Sequence, residues 1–401
     1  MWVAAAVLFL GAMAMQFDVR NRGDFRIYYF TGKCLRAGIT PYSAANLSYV
    51  SPVRIQSPNV YPPYLLPLFV PLSLLDYNVA NVLFLIVELL ALATLVWVWT
   101  TALFNSRFEA PFALFLVLGF GSALVVDLTV GNVAILESLL VWIALALYMR
   151  GRTWGFAITL VVAASIKLTP LFFLWLLFLP TGKGKFRPAA FVIMMVLALH
   201  VCAYAIRPDL YRDWLLVTRN LDTRLERGST NPAVLPLLKD LAVWVGSFIQ
   251  RPVPGEIPLL LSLCVSGCVL IRTWLASARL MRKLSLQEAM PVIVSLAVLA
   301  TALCIPRFKD YSYVMLLGAG FFAVKWCRRR GLALAVIVGA MLPSDSLSWT
   351  GILGTLAREY YVLVVAGALW FILAREMSER AAEPIAGADA EQARSLPEAR
   401  L

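Results

Sequence analysis

One carboxylate stands out in a chain that is otherwise largely apolar. Asp24 directly follows the first hydrophobic run, in the stretch GDFRIYYFTGKCLRAG at residues 23–38. An aspartate in this place can cap a helix that Gly38 then ends, or it can serve as a general base at the water–lipid boundary. The two roles compete, because a carboxylate that accepts backbone N–H bonds is a weaker base. The sequence alone leaves both roles open.

A lysine in an apolar setting is the second candidate. Lys167 occurs in the stretch SIKLTP, at residues 165–170, between two hydrophobic segments. An ammonium group without a partner is costly in hydrocarbon, so this position predicts either a functional site or an ion pair. Glu88 and Glu137 also lie within hydrophobic segments and are the candidate partners for a purely structural pair.

Further polar groups interrupt the hydrophobic segments elsewhere in the chain. Tyr61 precedes two prolines, which predict a stiff turn that re-enters the membrane. Asn132 follows a glycine in a short turn and can cap the helix after it. The stretch CIPRFKDYSYVML, at residues 304–316, places Arg307 and Lys309 at a helix junction.

The composition indicates which elements must position these groups. Of the 401 residues, 61% are hydrophobic and 14% are charged, and the mean hydropathy is +0.79. Soluble domains average about 25% charged residues, so this is an integral membrane protein. Apolar runs of about 20 residues predict helices, because barrel strands are about half as long and alternate in polarity. The sequence therefore predicts an all-α, polytopic fold with about 12 transmembrane helices.

Charge and residue usage narrow the partners. The net charge of +12 favours anionic lipid head groups or phosphates. No basic helix or aromatic-basic module predicts nucleic-acid binding. One histidine, His200, and no acidic cluster argue against a transition-metal site. Neither a Walker-type glycine-rich loop nor a Rossmann fingerprint occurs, so no nucleotide site is predicted.

Short basic loops orient the helices. MRGR at 149–152, GKGKFR at 182–187, RLMRK at 279–283 and KWCRRR at 325–330 are all predicted to be cytoplasmic. Residues 154–180 must then enter and leave on the same side, and they are too few for two spans, so they predict a re-entrant hairpin with Lys167 at its tip.

This topology sets the domain boundaries. Residues 1–375 form the transmembrane domain, with both chain termini inside and two long outer loops at 17–60 and 207–255. The polar segment 376–401 is predicted to be a disordered cytoplasmic tail.

The polar groups converge on the outer side in this topology. The segment after Asp24 predicts an amphipathic helix on the outer membrane surface, with one face formed by Phe25, Tyr28, Tyr29, Gly32 and Leu35. A base and several cations at a lipid surface indicate group transfer from a lipid-phosphate donor. The alternative is a secondary transporter or lipid flippase, which would place its polar residues at mid-membrane instead.

These motifs resemble glycosyltransferase family 87, the polyprenol-phosphate-mannose-dependent mannosyltransferases of the GT-C class. The resemblance runs through roughly the first 190 residues and rests on the order of short motifs. These are Asp24 with Tyr28 and Tyr29, GITPY at 38–42, YPP at 61–63, GN at 131–132 and IKLTP at 166–170. Many members have glutamine where this chain has Asn132, and a histidine where it has RFKDY.

The resemblance implies a GT-C-type fold and a hexosyltransferase activity. It implies transfer of a sugar from a polyprenyl-phosphate donor to a lipid or glycan acceptor at the outer face of the cell membrane, and mannose is the expected sugar. Asp24 would be the general base of an inverting, metal-independent reaction that uses no cofactor. The residues that would bind substrate are Tyr28, Tyr29, Tyr42, Tyr61, Asn132, Lys167, Arg307 and Lys309.

Overall fold

The computed structural model describes residues 7–11, 22–104, 107–180, 186–220, 227–342 and 352–383. These ranges are helical and contain no β-strand, which confirms the predicted all-α class. In chain order the α-helices are α1 (Gly23–Arg36), α2 (Ala44–Tyr49), α3 (Tyr77–Leu103), α4 (Ala110–Val130), α5 (Ala134–Met149), α6 (Thr153–Ile166), α7 (Phe186–Ile206), α8 (Pro208–Arg219), α9 (Val234–Phe248), α10 (Glu256–Leu280), α11 (Leu286–Cys304), α12 (Leu317–Trp326), α13 (Arg330–Ala340) and α14 (Ile352–Ala382).

Within the described ranges, six helices are long and apolar enough to cross a membrane, namely α3, α4, α7, α10, α11 and α14. Among them α4 is kinked at residues 119–122, where the backbone leaves the helical conformation. Shorter apolar helices account for other predicted segments: α5, α6, α13 and the 3-10 helix Thr169–Phe178. The polytopic membrane fold is confirmed, whereas most of the hydrophobic run that precedes Asp24 lies outside the described residues.

The predicted hairpin is present. Helix α6 ends at Ile166, and the 3-10 helix Thr169–Phe178 begins two residues after Lys167. Both ends of the hairpin contact Tyr148, near the end of α5. The Tyr148 ring packs on Phe156, with ring centroids 5.2 Å apart, and the Tyr148 hydroxyl donates to the carbonyl of Leu176. The segment therefore starts and finishes at the same end of the bundle and carries Lys167 to the other.

The core is built around α11, which is buried along most of its length and packs against α10, α12 and α14. A second group, α3 to α6, packs on this core through the 3-10 helix Asp310–Leu316. Trp142 of α5 is fully buried, and its indole N–H donates to the carbonyl of Met315 at 2.9 Å. The junction that precedes α12 is therefore fixed to α5.

Helix α1 differs from its prediction, because its apolar face packs on protein. Phe25, Tyr28 and Tyr29 are buried, together with Phe30 on the neighbouring face. Gly32 makes the close approach possible: a Cβ there would lie 2.4 Å from the carbonyl oxygen of Phe69. The amphipathic pattern identified the buried face correctly, but pattern alone does not tell a protein neighbour from lipid.

Two of the loops predicted to be cytoplasmic meet at the end of the bundle away from Lys167. Lys283 donates to the carbonyl of Glu383 at 2.7 Å, and Arg328 forms an ion pair with the Glu383 carboxylate. These contacts also correct the predicted tail. Helix α14 continues through Ala382, since Glu379 and Glu383 find arginine partners there, and residues 384–401 lie outside the described residues.

Candidate functional site

A cavity of about 930 Å³ opens where α1, the hairpin turn and the junction before α12 come together. The cavity lies at the end of the bundle that is opposite to the basic loops. Helix α5 begins beside the cavity, and α12 follows the junction that lines it. Most of the residues singled out from the sequence line this cavity: Asp24, Tyr28, Tyr42, Tyr61, Asn132, Lys167, Arg307 and Lys309.

Asp24 does not cap its helix. Helix α1 begins at Gly23, its N-cap residue is Arg22, and no side chain caps it. The Oδ2 atom of Asp24 instead accepts a hydrogen bond of 2.6 Å from the side-chain amide of Asn132. Its Oδ1 atom accepts none within the described residues and remains open to the cavity. Of the two roles that the sequence left open, the capping role is excluded.

Asn132 is likewise not the cap of the helix that follows it. Asp127 performs that function, as its Oδ2 atom accepts a hydrogen bond of 3.0 Å from the backbone N–H of Ile135. The side chain of Asn132 is therefore available to the cavity. Its amide nitrogen lies 2.6 Å from Asp24 and 3.2 Å from the hydroxyl of Tyr28.

Lys167 fixes the orientation of that amide. Its ammonium group lies 3.2 Å from the Oδ1 atom of Asn132. A lysine can only donate, so the amide oxygen must face Lys167 and the amide NH2 must face Asp24. Lys167 also forms an ion pair of 3.0 Å with Glu137, which is nearly completely buried. Lys167 thus has a structural partner and also lines the cavity.

Glu88, the other candidate partner of Lys167, pairs with Arg22 instead. Both side chains are fully buried. Arg22 also donates to the carbonyl of Leu128 at 3.0 Å and to the side chain of Asn81 at 2.9 Å. These contacts tie the residue before α1 to α3 and α4, and they hold Asp24 at the turn that carries Asn132.

Glycine is required at the turn itself. Gly131 has a φ of +70°, in the left-handed region. A Cβ at this position would lie 3.0 Å from the guanidinium carbon of Arg22 and 2.8 Å from the Cβ of Phe25. The close approach of α1 to this turn therefore depends on Gly131.

Three tyrosines continue the network across the floor of the cavity. The hydroxyls of Tyr28 and Tyr61 are 2.9 Å apart, and Tyr42 donates to the carbonyl of Tyr61 at 2.7 Å. Burial raises the pKa of Tyr28 well above its usual range, and it raises the pKa of Tyr61 as well. Both phenols stay neutral at physiological pH, so they act through hydrogen bonds and carry no charge.

The cations predicted at the junction gather around one aromatic ring. The ammonium of Lys167 lies 5.2 Å from the ring centre of Tyr311, and that of Lys309 lies 5.9 Å from it. The positive charge of Arg307 also acts on the Tyr311 phenol, although burial dominates and raises its pKa well above the usual range. Tyr311 lines the cavity. The sequence placed it in the junction but did not assign it to the site.

Tyr29 is the predicted site residue that the structure brings elsewhere. Its hydroxyl donates to the carbonyl of Leu75 at 2.8 Å, and its ring packs at right angles on Tyr77, with centroids 5.1 Å apart. It does not line the cavity. Tyr28 and Tyr29 share the buried side of α1, but adjacent helical residues point about 100° apart, so Tyr28 lines the cavity while Tyr29 packs on Tyr77.

The cavity also contains residues that the sequence did not single out. Helix α8 contributes Asp213 and Trp214 from the predicted outer loop 207–255. The indole N–H of Trp214 donates to the carbonyl of Val60 at 3.0 Å, which joins α8 to the segment before Tyr61. The amphipathic pattern of α8, with one buried and one exposed face, was the sequence signal that could have identified these residues. No group of three or more metal-ligating side chains occurs among the described residues.

Comparison with known proteins gives the family. The sequence model of glycosyltransferase family 87 matches residues 59–306, which is more than half of the chain. A search of curated proteins finds no match. The matched range extends well beyond the first 190 residues that carried the resemblance, but it begins after Asp24 and ends before Arg307. Together with the membrane helices, the match shows that the chain belongs to glycosyltransferase family 87 and is a membrane glycosyltransferase.

Proposed function

We propose that the protein transfers mannose from a polyprenyl-phosphate-mannose donor to a hydroxyl group of a lipid or glycan acceptor. The observation that supports this proposal is the hydrogen bonding of Asp24 and its place in the cavity. Its carboxylate is held on one oxygen by Asn132, has its other oxygen open to the cavity, and shares that cavity with Arg307 and Lys309.

Asp24 acts as the general base of a direct displacement. The acceptor oxygen attacks the anomeric carbon while Asp24 takes its proton, the bond from the anomeric carbon to the phosphate oxygen breaks, and the configuration at that carbon inverts. The polyprenyl phosphate leaves with the bonding electron pair. Phosphate is already a good leaving group, so one carboxylate suffices where glycosidases need two.

Arg307 and Lys309 stabilise the negative charge that builds on the leaving phosphate. Lys167 has a different task, although the sequence pointed to donor binding. Its charge is offset by Glu137 at 3.0 Å, and its hydrogen bond goes to Asn132. In this mechanism Lys167 is a positioning residue, which orients Asn132 and through it Asp24.

The reaction takes place at the outer face of the cell membrane. This sidedness is supported by the short basic loops, because RLMRK and KWCRRR meet at the end of the bundle away from the cavity. A prenyl-linked donor would reach the site from the membrane, with its phosphate at the depth of the hairpin tip.

Replacing Asp24 by asparagine tests the proposal. Asparagine keeps the size of the side chain but cannot take the acceptor proton, so transfer should fall by roughly a hundredfold or more. The measurement is transfer of radiolabelled mannose from polyprenyl-phosphate-mannose in membranes that contain the variant.

Asp76 provides the matched control. It caps α3 by accepting from the backbone N–H of Asn78 at 2.8 Å. Asparagine caps helices about as well as aspartate, so Asp76→Asn should keep folding and activity. Normal turnover by the Asp24→Asn enzyme would exclude Asp24 as the base.

A further inference from the structure

The cavity has two walls that differ in charge. One wall carries Lys167, Arg307 and Lys309 and comes from the hairpin turn and the junction around Tyr311. The other wall, here called the α8 wall, comes from residues 40–60 and from α8. Among the described residues that line the α8 wall, Asp213 is the one with a charge.

The two walls are joined by a continuous chain of hydrogen bonds. Tyr42, on the α8 wall, donates to the carbonyl of Tyr61, whose hydroxyl meets that of Tyr28. Asn132 bonds Tyr28 and accepts from Lys167, which lies on the cationic wall. Asp24 receives its hydrogen bond from the same amide of Asn132, so the proposed base is attached to this chain.

The two parts of the α8 wall are joined to each other. The indole N–H of Trp214 in α8 donates to the carbonyl of Val60 at 3.0 Å. Burial raises the pKa of Tyr42, and the nearby carboxylate of Asp213 adds to this effect. The two polar groups are therefore neighbours on a wall of fixed geometry.

Asp213 is available to a ligand. It is half-buried, it lines the cavity, and within the part of the chain that the structure describes its carboxylate makes no hydrogen bond or ion pair. Other polar side chains that line the same cavity from residues 40–60 are uncharged, among them Thr40, Ser43, Gln56 and Ser57. A carboxylate only accepts hydrogen bonds, and hydroxyls and amides both donate and accept. This combination fits the hydroxyl groups of a sugar and repels a phosphate.

We propose that the α8 wall is the acceptor subsite and that it binds an uncharged sugar ring through Asp213. The inference rests on the proposed function, in which the donor phosphate occupies the cationic wall. The acceptor hydroxyl then reaches Asp24 from the α8 side, and the phosphate leaves on the other side. The sugar would be the terminal unit of a glycan or glycolipid acceptor, whose charged groups stay outside the subsite.

Binding can be measured without catalysis. The full-length protein in lipid nanodiscs is examined by saturation-transfer NMR with methyl α-mannopyranoside, methyl phosphate and ethanolamine as probes. We expect the mannoside to bind and Asp213→Ala to weaken its binding roughly tenfold, as expected for loss of a hydrogen bond to a charged group. Asp209→Ala is the matched control, because Asp209 lies four residues earlier on α8, is exposed, and pairs with Arg207. It should bind the mannoside normally.

Kinetics give a second readout. With octyl α-mannoside as acceptor, Asp213→Ala should raise the acceptor KM roughly tenfold and leave the donor KM unchanged. Arg307→Gln should do the opposite.

Several results would overturn the subsite. They are mannoside binding that survives Asp213→Ala, equal loss with Asp209→Ala, and Asp213-dependent binding of ethanolamine or methyl phosphate in place of the mannoside. Binding that depends on Asp213 without any transfer by the unmodified enzyme would instead overturn the proposed function, and the acceptor role with it.

Discussion

Replacing Asn132 by leucine should slow sugar transfer through its effect on Asp24. Leucine is close to asparagine in size, but it neither donates to Asp24 nor accepts from Lys167. The lost contact to Asp24 is a hydrogen bond of 2.6 Å to a carboxylate. Such a bond is worth about 1.5–3 kcal/mol. This bond stabilises the ionised carboxylate and does not itself lower the barrier, so the loss of rate comes from misplacement of Asp24, which can lower kcat roughly a hundredfold.

The assay is a double-mutant cycle on mannose transfer from polyprenyl-phosphate-mannose. It compares Asn132→Leu, Asp24→Asn and the double variant with the unmodified enzyme. If Asn132 works through Asp24, its loss should cost little once the base is gone, so the two effects should not multiply.

Tyr29→Phe is the control for this cycle. It removes a hydroxyl from the same helix as Asp24, but that hydroxyl bonds the carbonyl of Leu75 away from the cavity. Its activity should stay near normal. Rate factors that multiply in the Asp24→Asn, Asn132→Leu enzyme would refute the positioning role of Asn132 and indicate direct substrate contact.

Three further predictions follow from the ionic groups. Lys167→Met should lower kcat and leave the donor KM unchanged, whereas Arg307→Gln should raise the donor KM; a raised donor KM in Lys167→Met would return it to donor binding. Arg22→Met should destabilise the fold by roughly 3–5 kcal/mol in thermal unfolding, since it leaves Glu88 buried without its partner, and adding Glu88→Leu should recover much of this loss. Burial raises the pKa of Asp310 to about 6. Because the pKa of Asp310 in the folded protein is above its usual value, the contribution of Asp310 to stability is fully present below about pH 4. This contribution is lost as the pH rises through about 6. The gain in melting temperature from Asp310→Asn should therefore be larger at pH 7.5 than at pH 5, and an equal gain at both would contradict the burial argument.

Much of the fold could be predicted because membrane helices are set by apolar length and loop charge. The hairpin illustrates this, since residues 154–180 are too few for two spans and the structure turns at Lys167. The surroundings of α1 could not be predicted in the same way. Its apolar face meets the carbonyl of Phe69 and the ring of Tyr77, which are neighbours that only the folded chain provides.

The sequence predicted which charged residues belong to the site better than it predicted which residues they contact. Asp24 and Lys167 were identifiable because a charge beside or within an apolar segment is costly. The partner of each charge could not be found from the sequence, because Glu88 and Glu137 were equally plausible for Lys167. The structure divides them, with Arg22 taking Glu88 and Lys167 taking Glu137. Asp213 was missed because an acid in a long polar loop carries no such cost.

The two buried ion pairs are better explained by the segments that they hold in place than by any stability that they add to the fold. A buried salt bridge adds little net stability, because desolvation of both charges offsets their attraction. Each of these pairs joins a loop to a helix close to the proposed base. Arg22 precedes Asp24 by two residues and binds α3, while Lys167 holds Asn132 and binds α5. Removing either pair in favour of apolar residues should then leave a folded protein whose Asp24 is no longer held at the turn, which is the outcome expected of groups retained for geometry.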